Sequence, residues 1–144
     1  VVWATLVRGV YKKRQGDFEG AEAAIQESLV KLEKEYGGPL AVTDQAYAHT
    51  VLGDIYVAKG KVLEAKQEYQ LAEKIYNKLY SKKEGVGMSE LYVSFAILGA
   101  TLKDDFLAKR YLDLHQKYYG RTHQGTKKIL QVFQENNIDM LQAP

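Results

Sequence analysis

The residues of this 144-residue chain that could carry chemistry are three histidines, an aspartate pair and a few glycine-rich stretches. A helical metal centre wants histidines four apart on one face, as in His-Glu-x-x-His. His49, His115 and His123 have no such spacing. His49, beside Tyr47 and Thr50, reads as a packing or surface residue, and His123, in Arg121-Thr122-His123-Gln124, as part of a linker. Neither a Gly-x-Ser-x-Gly elbow for acyl transfer nor a Gly-x-x-x-x-Gly-Lys-Ser/Thr phosphate loop is present. Gly85-Val86-Gly87 reads as a connector. Asp104-Asp105 offers two carboxylates for acid–base work, but the pair reads as the start of a helix, where negative charge complements the dipole. Zero cysteines exclude disulfides, thiolate nucleophiles and thiolate metal sites. Nothing here argues for an enzyme, a metal or a cofactor.

Charge points away from polyanions as well. Twenty basic against 18 acidic residues leave a net +2, too balanced for a nucleic-acid partner. The run Arg8, Lys12, Lys13, Arg14 reads as cations at the C-terminal end of a helix, and Lys82-Lys83 reads the same way. No apolar run approaches the ~20 residues of a membrane span. The opening Val1-Val2-Trp3 starts inside a helical pattern, so the chain reads as a piece of a longer or processed protein, with the cytoplasm as its expected compartment. The apolar fraction of 46% suffices for a core in one domain spanning residues 1–144. Two prolines suit helices; 12 glycines do not, unless they have fixed places.

They do. Gly9, Gly16-Asp17-Phe18 and Ala21 recur 44 residues later as Gly53, Gly60-Lys61-Val62 and Ala65. The flanks follow, Trp3 matching Tyr47, Ala4 Ala48, Val7 Val51, Ile25 Tyr69 and Tyr36 Tyr80. A third, weaker copy is anchored on Leu98-Gly99 and on Asp105-Phe106, with offsets of 46 and 44, which implies a shorter central turn made by Lys103-Asp104-Asp105. Each copy reads as two helices, from apolar spacings such as Val51–Ile55 and Ala65–Tyr69–Ala72–Tyr76. Seven helices are expected, near 1–15, 18–36, 42–59, 61–81, 89–103, 105–119 and 124–136, with a loosely ordered tail from Asn136. Thr43 or Asp44, and Ser89, read as N-caps. Gly37-Gly38-Pro39 and Glu84-Gly85-Val86-Gly87 read as links between copies.

Leu52-Gly53, Tyr56, Gly60, Ala65, Tyr69 and Ala72 resemble the tetratricopeptide repeat signature. The first copy departs at Arg8, Lys12 and Ser28. The third keeps Leu98, Gly99 and Phe106, with Ala108 one residue out of register. The spacing of 44, against the family's usual 34, resembles the long-helix branch typified by kinesin light chain, though the groove asparagines of that branch are missing at His49-Thr50-Val51. The resemblance implies an all-α fold, a right-handed α-α superhelix of stacked antiparallel helix pairs. The repeats fall near 1–38, 42–84 and 89–120, and the helix at 124–136 is either a cap or the first half of a next repeat.

The resemblance also implies a concave groove lined by the first helix of each pair. Its candidate residues are Trp3, Leu6, Val10 and Lys13, then Tyr47, Thr50, Asp54 and Val57, then, by matching Gly99, Val93, Ala96, Ala100 and Lys103. The Lys and Asn pairs with which some members clamp a C-terminal carboxylate are absent at Leu6, Val10 and Thr50. An extended or helical protein segment with apolar anchors is the expected ligand. The chain therefore reads as a non-catalytic interaction module, a scaffold or adaptor. Two other readings stand beside it: a ligand-sensing repeat domain of a larger bacterial regulator, and a self-associating structural repeat in which open ends of the stack pair as a homo-oligomer.

Overall fold

The computed structural model describes residues 2–35, 39–79 and 86–138. Among these the chain is all-helical, with seven helices in the expected order: α1 (Val2–Arg14), α2 (Phe18–Glu35), α3 (Pro39–Ala58), α4 (Val62–Leu79), α5 (Val86–Thr101), α6 (Asp105–Tyr119) and α7 (Gln124–Glu135). They fall into two compact units, residues 1–81 and 82–144. In the first, α1 packs on α2, α3 on α4, and α3 also on α2. In the second, α5 packs on α6, and α7 lies against both. No helix of the described residues is long and apolar enough to cross a membrane.

The three hairpin turns are one structure repeated. Each first helix ends with a backbone N–H reaching five residues back: Asp17 to the Lys12 carbonyl, Lys61 to Tyr56 and Asp104 to Gly99, all within 2.8–2.9 Å. The residue before each donor is left-handed: Gly16 (φ 83°), Gly60 (φ 77°) and Lys103 (φ 58°). Glycine adopts this conformation without Cβ strain, and lysine does so at a cost. The third turn is therefore as long as the others, not shorter. α7 ends in the same way, with Ile138 N–H on the Phe133 carbonyl at 2.9 Å and Asn137 left-handed (φ 58°). Asn136 to Ile138 form this turn, within the stretch where a loosely ordered tail was expected.

Aligning the turns corrects the register of the third copy. Lys103 matches Gly60, so Ala108 matches Ala65 and Ala21, all three fully buried. Ala108 is in register after all, and Ala96, not Gly99, is the counterpart of Gly53. Gly99 has a different task. A Cβ there would come within 2.5 Å of the Ala108 backbone nitrogen, so α5 and α6 meet backbone to backbone just above their turn.

Helix starts differ from expectation where caps were read. α3 begins at Pro39, whose fixed φ and missing N–H suit a first helical position. Thr43 and Asp44 therefore lie inside α3, and Ser89 inside α5. Val86 and Gly87, read as connector, belong to the first turn of α5. The caps are Asp17, whose carboxylate accepts from Gly20 N–H at 3.0 Å, and Asp104, which accepts from Leu107 N–H at 3.0 Å. Gly37, Gly38 and the residues 80–85, including Lys82-Lys83, lie outside the described residues.

Candidate functional site

The first unit brings α1 and α3 side by side. Their shared floor is Leu6, in one apolar cluster with Ala21 and Ile25 of α2 and Ala48, Val51, Leu52 and Ile55 of α3. Thr50 is buried and turns its hydroxyl back to the Ala46 carbonyl at 3.0 Å, the ordinary fate of a threonine inside a helix. Above this floor Val10, Lys13, Tyr47, Asp54 and Val57 stay partly open. Val10 and Tyr47 also pack against the cluster.

Charge on this face is already matched. The Lys13 ammonium lies 3.5 Å from the Asp54 carboxylate, tying α1 to α3. The other Asp54 oxygen accepts from the Tyr69 hydroxyl at 2.5 Å. Tyr69 belongs to α4 and is 1% exposed, its ring packed against α3 at Gly53 as it delivers that hydroxyl. Gly53 provides the passage: a Cβ there would run into the Tyr69 ring. The glycine that marked the repeat thus works as a conduit from α4 to the α1/α3 face. Beside it His49 bonds Glu68 of α4 at 2.6 Å, half-buried and structural. Arg8 pairs with Glu27 of α2 at 3.3 Å, and Lys59 with Glu19 and Glu22 of α2 at 2.6 and 3.2 Å. Two members of the basic run, Arg8 and Lys13, therefore have acidic partners.

The remaining sequence-derived positions divide. Trp3 is exposed, at 56%. In the second unit Val93, Ala96 and Ala100 are buried and Lys103 is the exposed turn residue, its ammonium on the Asn136 carbonyl at 2.8 Å. With the turn-based register, the positions equivalent to Tyr47, Thr50, Asp54 and Val57 are Glu90, Val93, Ile97 and Ala100. Matching on Gly99 shifted the set by three because that glycine serves a different contact. Leu6, Thr50, Val93, Ala96 and Ala100 are closed to any ligand by burial, so they act as floor and core rather than as contacts.

Sequence reading missed one polar cluster, in the second unit. His115 of α6 is fully buried, and both ring nitrogens are engaged. Thr126 of α7 gives its only hydroxyl hydrogen to the Gly120 carbonyl at 2.8 Å. Its oxygen therefore accepts from His115 Nδ1–H at 2.7 Å. His115 Nε2 is then the acceptor for the Ser89 hydroxyl of α5, also at 2.7 Å. Burial, helped by the charge of His123 close by, holds the imidazole pKa down to about 4, so the ring is neutral. Hydroxyl, imidazole and acceptor follow the order of a nucleophile–base pair. Yet Ser89 is only 7% exposed and the third member is a hydroxyl instead of a carboxylate, so the cluster binds three helices together. Its signal was in the register: His115 takes the position of Ser28 and Ala72, both small and buried. Room for the larger ring comes from Gly125, where a Cβ would sit 2.7 Å from His115 Nε2. His123 meanwhile caps α7, its Nδ1 accepting from Gly125 N–H at 2.9 Å.

No group of three or more His, Cys, Asp or Glu among the described residues could hold a metal ion. No family model, curated protein or solved structure matches the chain.

Proposed function

We propose that the chain is a tetratricopeptide-like interaction module that holds a protein or peptide segment on the α1/α3 face of its first unit. The observation that supports this most is the coexistence of partly open apolar residues, Val10, Tyr47 and Val57, with a rigid floor on two adjacent first helices. Open apolar positions on a fixed frame favour anchors inserted from a ligand. The Lys13–Asp54–Tyr69 linkage consumes the face's charges internally. The preferred ligand is therefore apolar-anchored, and a chaperone-type acidic tail gains little here.

A displayed library of random peptides tests this. Enriched peptides should bind wild type, lose at least tenfold (~1.4 kcal/mol) with Tyr47→Ala or Val57→Asp, and keep binding to Phe106→Ala, which alters an exposed α6 side chain. No enrichment, equal binding by all variants, or micromolar binding of an acidic tail peptide would contradict the proposal.

A further inference from the structure

Two histidines hold the first turn of α7, each through a ring nitrogen that must stay unprotonated. His123, on the connection from α6, caps the helix by accepting the Gly125 N–H on Nδ1 at 2.9 Å. His115 of α6 lies beneath the same turn. Its Nε2 accepts from the Ser89 hydroxyl of α5, and its Nδ1–H donates to Thr126 of α7, each at 2.7 Å. The two imidazoles are 5.0 Å apart between centroids, and the Tyr119 ring is 4.8 Å from His115. Gly125 closes the cluster: a Cβ there would stand 2.7 Å from His115 Nε2 and 3.0 Å from Val93 of α5. The α7 backbone itself therefore lies over that nitrogen. Every member falls between residues 89 and 126, inside one compact unit.

The cluster has no place for positive charge. A proton at His115 Nε2 turns an acceptor into a donor, and the Ser89 hydroxyl hydrogen must turn elsewhere. A proton at His123 Nδ1 removes the cap and puts a cation at a helix N-terminus, where the dipole opposes it. Two imidazoliums at this separation also repel each other. Among the described residues neither ring has a carboxylate partner. Glu90 of α5 and Asp113 of α6 are exposed, and the exposed Arg121, Lys127 and Lys128 add positive charge around the turn. Burial and His123 accordingly keep the His115 pKa down to about 4. α5 and α6 do not need the cluster: they meet backbone to backbone at Gly99 and Ala108, and Phe95 stacks on Tyr111 at 4.1 Å. We propose that the start of α7 is an acid-opened flap, in which proton uptake by His115 and His123 lifts its first turn off α5 and α6 while that pair stays joined. Opening gives water access to Val93 and to the His115 ring, on both of which Gly125 lies.

Amide hydrogen exchange on the intact chain tests this, read by NMR and corrected for the intrinsic pH dependence of exchange. The Lys127 N–H, bonded to the His123 carbonyl at 3.1 Å, reports on the flap. The N–H of Leu112, a buried residue in mid-α6, reports on the α5/α6 pair. From pH 7 to pH 4.5 protection at Lys127 should fall about tenfold or more beyond any fall at Leu112. The double variant His115→Gln/His123→Asn keeps a donor and an acceptor at one position and a cap at the other, with nothing to titrate. Its Lys127 protection should hold across the range. His123→Asn alone should keep a reduced step, which belongs to His115. Flat protection in wild type, a step that survives in the double variant, or an equal loss at Leu112 overturns the proposal. If the double variant does not fold, the wild-type imidazole signals decide: both rings must titrate where Lys127 loses protection, and a His115 that titrates while Lys127 stays protected overturns it.

Discussion

At Gly53 a bare α-carbon admits a tyrosine ring from the partner helix, whereas at Gly99 it admits the partner backbone itself. The two units also differ at a position that the turns do match. Ser28 and Ala72 fill it compactly in the first unit, while the second holds a neutral histidine bridged to two hydroxyls. Side chains that meet a glycine can shift; a helix backbone cannot without moving the helix. At these positions the second unit therefore depends on fixed backbone spacing and on satisfied polar groups, and the first on side-chain fit. A repeat can keep its turn and its register while changing what holds its helices together.

Four measurements would break or sharpen that contrast, and the largest effect belongs to the backbone contact. Gly99→Val should cost about 3 kcal/mol or more, read as a lower urea midpoint, because α6 cannot yield locally. Next is pH. His115 stays neutral in the folded protein down to about pH 4 but titrates near 6.5 when unfolded. The unfolded chain then binds the extra proton, so stability is full above pH 6.5, falls as pH drops, and levels out below about 4. The total loss is up to about 3 kcal/mol, and His115→Gln should flatten the profile over this window. Thr126→Val keeps the shape but leaves His115 Nδ1–H without its acceptor, for about 1–2 kcal/mol in the same denaturation assay. Smallest is Gly9→Ala. Its new methyl meets the buried Ile25 side chain and the Ala24 methyl, side chains rather than backbone, and the gain in helix propensity of ~1 kcal/mol offsets part of the crowding, so the loss should stay below about 1 kcal/mol. A loss as large as that of Gly99→Val would erase the distinction between the two units.

The helices were legible in the sequence because glycine, alanine and aromatic positions recurred together, and turn chemistry fixes helix ends strongly. The third register was not. Leu98-Gly99 repeats the letters of Leu52-Gly53 for a different contact, and a left-handed lysine hid the turn that would have corrected it. Pro39 started α3 earlier than a cap at Thr43 or Asp44 allowed. Of the proposed face, Val10, Lys13, Tyr47, Asp54 and Val57 came from the resemblance to the repeat pattern, and the structure leaves them partly open. The burial of Leu6 and Thr50 depends on how deeply α2 and α3 interlock, which period cannot reveal. The histidine cluster was opaque because its three members come from three helices with no common spacing. Gly20 and Gly125, without a role in the repeat, proved to be the neighbours of Asp17 and His115.

Tyr69 of α4 packs on Gly53 and holds the Asp54 carboxylate through its hydroxyl. A residue on α4 therefore limits how freely the Asp54 carboxylate can turn toward Lys13. Drift on the reverse side of the hairpin would retune that face while every side chain on its front stayed the same. Under the binding role proposed above, a change at Tyr69 alone would alter what the face holds.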